Sequence, residues 1–134
     1  MSVEVKQPVL AYVEAFNRGD VEAVCRNFAP AALVQGVLGW GPIDKVRAIW
    51  SEIMRSFAMQ LQVDSIIAEG EIVAVRYTER GAFVADFRGA KSTGKPYEVV
   101  AMEWFEVRAG LIQRRWGARD SASIYRQIGL ASTS

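Results

Sequence analysis

Histidine is absent from this chain of 134 residues, and cysteine occurs once, at Cys25. The first absence removes Ser-His-Asp and Cys-His catalysis together with His-ligated metal sites, and the second excludes an internal disulfide. Proton transfer is left to carboxylates, Arg, Lys, Tyr and hydroxyl groups. A dominant charge is lacking too: sixteen basic residues oppose fifteen acidic ones for a net charge of +1. Nothing in that balance would hold a polyanion, so nucleic acid is not an expected partner. No apolar run approaches the ~20 residues that span a bilayer. The stretch 1–13, with Glu4, Lys6 and Pro8, has the pattern of neither a secretory signal nor a lipidation site. The expectation is a cytoplasmic protein with no membrane partner.

What is present is ordinary globular sequence, 51% hydrophobic and 23% charged. A chain of this length buries roughly two-thirds of its unfolded surface, enough for one core, and 1–134 reads as a single domain. Val9, Tyr12, Val13 and Phe16 recur at i, i+3, i+4 and i+7 ahead of Gly19, which predicts a helix over about 5–17. Asp20 caps a second helix, in which Val21, Val24, Cys25 and Phe28 repeat that spacing until Pro30. Cys25 falls in the apolar stripe and reads as a small core residue. A short strand is expected over 32–37, and Gly39, Trp40, Gly41 and Pro42 read as a turn with Pro42 opening a third helix. Ile43, Val46, Ile49, Trp50, Ile53 and Phe57 share one face of that helix.

From Met59 the period falls to two. Leu61, Val63 and Ile66 lead to a turn at 69–71 and a strand over 72–80, which 81–87 continues or restarts. A polar loop over 89–96 precedes a long strand over 97–107, a turn at 108–110, a last strand from Leu111 to about Arg119, and a brief helix over 120–128. Helix, helix, strand, helix and then four or five strands joined by short turns argue an α+β domain, an antiparallel sheet with its helices on one side. Because 99–107 is apolar at both parities, one face of that strand is expected on the helices and the other on a partner subunit or second sheet segment.

Three groups of residues then fall into a familiar order: Tyr12, Ala15, Phe16, Asn17, Gly19 and Asp20 at the start; Val73, Val75, Arg76, Gly81, Phe87, Gly89, Thr93, Gly94 and Lys95 in the middle; Gly110, Ile112, Trp116, Asp120, Gln127, Ile128 and Gly129 at the end. Together they resemble the nuclear-transport-factor-2-like proteins and, within them, the SnoaL-like polyketide cyclases. The resemblance implies a cone-shaped curved antiparallel sheet wrapped by three helices from the N-terminal half, with a short C-terminal helix and a deep pocket. It also implies a homodimer, no metal or organic cofactor, and an aldol-type ring closure with Asp120 as general acid/base. The chain departs from the group at Ala82 and Phe83, where threonine-histidine is common, and at Arg114, where glutamate is common. A second likeness, to the limonene-epoxide hydrolases, rests on Arg80 within Thr78, Glu79, Arg80, with Ala82 where that group has aspartate.

On the last strand Ile112, Arg114, Trp116, Ala118 and Asp120 share one parity, so an inward Trp116 would bring Asp120 inward as well. A carboxylate on the apolar floor of a pocket loses hydration in its charged form, so its pKa rises and it can exchange a proton near neutral pH. The alternative is that Asp120 caps the final helix on the N–H of residue 122 or 123. Arg80, Arg114 and Arg115 are possible oxyanion binders, and Arg114 has the parity of Trp116. Glu103, inside the apolar segment 102–105, faces solvent, pairs with an arginine, or serves as a second acid; the reading adopted is a buried pair with Arg114 that tunes Asp120. Trp40 and Phe83 are expected as flat pocket walls, Trp50 as core, and Tyr12 as core or as a reach to the pocket mouth. The loop 91–95 reads as a hairpin lid. The expected activity is cofactor-free acid/base chemistry on a small apolar carbonyl or polyketide-type compound, of cyclase or isomerase type. A noncatalytic ligand-binding or dimerising domain and an epoxide hydrolase stand beside it.

Overall fold

The computed structural model describes residues 2–36 and 39–130. Helices α1 (Ser2–Asn17) and α2 (Val21–Cys25) precede strands β1 (Phe28–Gly36) and β2 (Gly39–Pro42), helix α3 (Ile43–Phe57), strands β3 (Gln60–Glu69), β4 (Ile72–Ala82), β5 (Pro96–Arg108) and β6 (Leu111–Arg119), and helix α4 (Ser121–Ile128). The strands form one curved, unclosed sheet in the order β2-β1-β6-β5-β4-β3. All neighbours are antiparallel except β1 and β6, which run parallel. The α+β class, the three early helices and the short last helix are those expected. Four strands follow α3, within the four or five expected there, and β2 is the strand not foreseen; no helix among the described residues is long and apolar enough to cross a membrane.

The helical periodicity translates directly into burial: Val9, Tyr12, Val13 and Phe16 from α1 and Ile43, Val46, Trp50 and Phe57 from α3 all enter the core. Gly19 makes the corner after α1 at φ +71°, and the Asp20 carboxylate accepts from the Ala23 N–H at 3.0 Å, capping α2. Asn17 pins that corner to β3, its amide exchanging two hydrogen bonds with the Leu61 backbone at 2.9 and 2.7 Å. Two boundaries differ from expectation. Pro30 does not end a helix but lies within β1, near an irregularity in the β1–β6 register where its missing N–H breaks no ladder pair. Residues 39–42 are a strand paired with β1 from Gly36↔Gly39 to Leu33↔Pro42, with Pro42 preceding α3 as its extended N-cap. Val37, which closes the expected strand 32–37, lies outside the described residues.

On β4 and β5 the two-residue alternation is regular. Val73, Val75, Tyr77 and Glu79 face inward from β4, and Tyr97, Ala101, Glu103, Phe105 and Val107 from β5. On β6 it breaks. Val107 pairs with Ile112 but Glu106 with Arg114, so Gln113 is an extra residue in a bulge, and the side chains after it change face. Ile112, Arg115, Gly117 and Arg119 therefore lie on the inner side, across from Val107, Phe105, Glu103 and Ala101, while Arg114, Trp116 and Ala118 lie on the outer side.

Candidate functional site

Between the sheet, α3, α4 and the loop 83–95 lies a cavity of about 210 Å³. Its walls are apolar, from Trp50, Ile53, Phe57, Met59, Phe87 and Ile124, and its polar groups are Glu79, Tyr97, Arg115 and Arg119 on the sheet and Arg88 from the loop. Arg88 is matched by Glu52 of α3 through two bonds of 3.0 Å.

The sheet groups belong to one buried network. The Tyr97 hydroxyl and Arg119 Nε each donate to a different oxygen of Glu79, both at 2.7 Å. Arg119 Nη2 reaches across to Glu103 at 3.2 Å, and Arg115 Nη2 donates to the same Glu103 oxygen at 2.8 Å. The other Glu103 oxygen accepts from Tyr77 at 2.9 Å and from Tyr12 of α1 at 3.1 Å. Two glycines make room for this. Opposite Tyr97, a Cβ on Gly81 would lie 2.5 Å from the ring and 2.5 Å from the Phe57 carbonyl oxygen; opposite Glu103, a Cβ on Gly117 would lie 2.5 Å from Arg115 Nη2.

Burial by itself would raise the pKa of Glu103, but the Arg115 and Arg119 charges and the Tyr77 bond outweigh it, leaving the carboxyl below its ordinary value. Burial, reinforced by the adjacent carboxylates, pushes Tyr12, Tyr77 and Tyr97 above the usual phenol range, so all three are neutral donors. Burial opposes the charge on Arg119, yet Glu79 and Glu103 hold its pKa above the ordinary arginine value. A carboxylate offers about four acceptor positions. Glu103 uses all four; Glu79 uses two and lines the cavity.

Of the residues singled out from sequence for chemistry, Arg115 lines this cavity and the others do not. Asp120 caps α4, accepting from the Ser123 N–H at 2.9 Å in an exposed position, as in the capping alternative. The bulge at Gln113 overturns the parity count: Arg114 and Trp116 face outward, where the Arg114 guanidinium stacks 4.8 Å from the Trp40 ring centre and 5.3 Å from that of Trp116. Trp40 is thus an outer-surface residue, 44% exposed, and not a wall of the cavity. Arg80 is exposed as well, bonded to Glu98 and Gln62 at 2.7 Å each. Phe83 is fully buried beside the cavity, stacked on Phe57. Tyr12 is core, and Glu103 is in a buried ion pair as read, but with Arg115 and Arg119 instead of Arg114. Sequence reasoning missed Glu79, Tyr97 and Arg119. The signal for Glu79 was available, since it continues the alternation of Val73, Val75 and Tyr77 into the cone.

A family profile described as the SnoaL-like domain matches residues 9–115. The chain belongs to the SnoaL-like family. Solved structures share the fold. AclR from Streptomyces galilaeus, a candidate hydroxylase, superposes with a TM-score of 0.87 at 22% identity, over 98% of this chain and 100% of that one. IdmH from Streptomyces antibioticus, a candidate polyketide cyclase, gives 0.81 at 26% identity over 93% and 98%. A candidate polyketide cyclase from Xanthomonas campestris pv. campestris gives 0.86 at 24% identity over 93% and 96%. No curated protein sequence matches the chain. Within the SnoaL-like frame the cavity is the interior of the cone, and its polar floor is built by β4, β5 and β6.

Proposed function

We propose that this SnoaL-like protein is an enzyme that moves a proton on a compact, apolar carbonyl compound, with Glu79 as the general acid/base. The observation that carries the reading is that Glu79 is buried, lines the cavity and keeps unused acceptor capacity, while its position is fixed by Tyr97 and Arg119. Glu103 has no such spare capacity and acts as a positioning residue, holding Arg119 in line with Glu79. The volume of about 210 Å³ sits below the ~300–1,000 Å³ of drug-sized pockets, which favours a small ring or short-chain compound over a fused polycyclic one. The candidate cyclase assignment of IdmH supports carbonyl chemistry of the cyclase or isomerase type.

The test is deuterium exchange at the α-carbon of small cyclic ketones in heavy water, followed by NMR. Wild type should accelerate exchange, and Glu79→Gln should lower the rate by about 10²-fold or more, the scale of a general acid/base contribution, while ligand binding persists. Equal rates in the two proteins would sink the acid/base role and leave a noncatalytic binding cavity, a reading favoured by the pairing of every charge on the cavity floor.

A homodimer and a cytoplasmic location complete the proposal. Ile67 of β3, Trp104 of β5 and Trp116 of β6 lie in one register row on the outer face, beside Val100 and Met102, which are exposed. An exposed apolar face of this kind suits a second copy of the same surface. Cys25 is free and buried, the state expected of a thiol in a reducing compartment.

A further inference from the structure

We propose that Arg115 receives the carbonyl oxygen of the ligand, and that the balanced charge of the cavity floor selects uncharged enolisable ketones or esters over carboxylates of the same shape. The proposal rests on the acid/base reading of Glu79 and adds the group that faces it. Arg115 lines the cavity with its side chain 5% exposed, and its guanidinium lies 5.8 Å from the ring centre of Trp50 on the cavity wall. One of its nitrogens, Nη2, is committed to Glu103, whereas the buried Nε has no acceptor. Arg119, by contrast, spends Nε on Glu79 and Nη2 on Glu103. A buried donor without a partner is costly, and the edge of the Arg115 guanidinium that lines the cavity is where a ligand oxygen would meet it.

The charges settle which kind of oxygen. Glu79 and Glu103 are matched by Arg115 and Arg119, and Arg88 at the mouth by Glu52, so the site carries no net charge. A neutral carbonyl leaves that balance intact; a carboxylate adds a buried negative charge with no counter-ion. The balance also survives the reaction. The α C–H bond breaks, its proton passes to the open lone pair of Glu79, its electron pair forms the C=C bond, and the carbonyl π pair moves onto oxygen. Glu79 becomes neutral as the oxygen beside Arg115 becomes an enolate, and returning the proton to carbon restores both. No co-reactant is needed.

Cyclohexyl methyl ketone and cyclohexanecarboxylate are near-isosteric probes, and their binding to the whole chain at neutral pH can be followed by calorimetry. The ketone should bind wild type at least about tenfold more tightly than the carboxylate. Glu79→Gln, which leaves the site with one positive charge, should reverse the order. Arg115→Lys, which keeps the charge but removes Nε and the planar fork, should weaken ketone binding about tenfold or more. Equal or tighter carboxylate binding by wild type, an unchanged order in Glu79→Gln, or undiminished ketone binding by Arg115→Lys would each overturn the proposal, as would a failure of the ketone to bind wild type at millimolar concentration. The wild-type comparison decides by itself should a variant fail to fold. Selective ketone binding without α-carbon exchange would support this assignment while overturning the acid/base role of Glu79.

Discussion

Glu103 is the residue on which the interior turns. Its carboxylate joins α1, β4 and β6 to β5 through Tyr12, Tyr77, Arg115 and Arg119, and breaking a buried pair costs far more than its net worth because the remaining charges stay buried. Glu103→Gln should destabilise the fold by about 3–5 kcal/mol, read from urea midpoints at neutral pH. The pH dependence has a definite sign. The folded carboxyl lies below its unfolded value, so its contribution is complete above the ordinary glutamate pKa and drains away as pH falls through the lower folded value. Wild type should therefore lose stability on the acid side more steeply than Glu103→Gln, and parallel acid limbs would contradict the pairing. At this scale the sequence revealed that Glu103 is paired, since a lone carboxylate in an apolar strand has few other options. It did not reveal the partner, because Arg114 and Arg115 differ only in parity and parity was counted through an unseen bulge.

At the level of elements, the close approach of β4 to β5 at Gly81 and Tyr97 links the backbone to the site. Gly81→Ala would set a methyl group 2.5 Å from the Phe57 carbonyl oxygen, which cannot swing aside, and 2.5 Å from the Tyr97 ring that holds Glu79. Overpacking of this kind costs about 1–3 kcal/mol. Thermal unfolding should shift down accordingly, with a changed near-ultraviolet tyrosine signal; an unchanged melt would mean that the crowding is absorbed elsewhere. Most elements were legible because their periodicities are clean: α1 and α3 from 3.6-residue spacing, β4 and β5 from strict alternation. β2 was not, since two glycines and a proline in four residues carry turn chemistry and only pairing with β1 makes them a strand.

For the molecule as a whole, the outer face of the sheet is the feature to explain. Reading across the strands in register, Trp40, Gln35, Trp116, Trp104, Ala74 and Ile67 form one row spanning all six, and Trp104 is 50% exposed while Ile67 is 66% exposed. Sedimentation equilibrium at micromolar concentration should give twice the 14.8 kDa of one chain, and Trp104→Glu should return it to that mass. A wild-type protein of single-chain mass would remove the partner from the proposal. The two-sided apolar character of β5 was visible in its sequence, as was the cone, through motifs distributed along the chain. The floor of the cone was not, because it depends on which side chains three strands turn inward once they are paired.

Gln113 also bears on how this chain withstands changes in length. In a regular strand the loss of one codon would turn every later side chain to the opposite face. Here the strand already carries one residue beyond what its neighbour needs, and dropping it would leave each pairing from Glu106↔Arg114 to Ala101↔Arg119 as it stands. Gln113 is thus the position in β6 where a single-residue deletion disturbs the interior least.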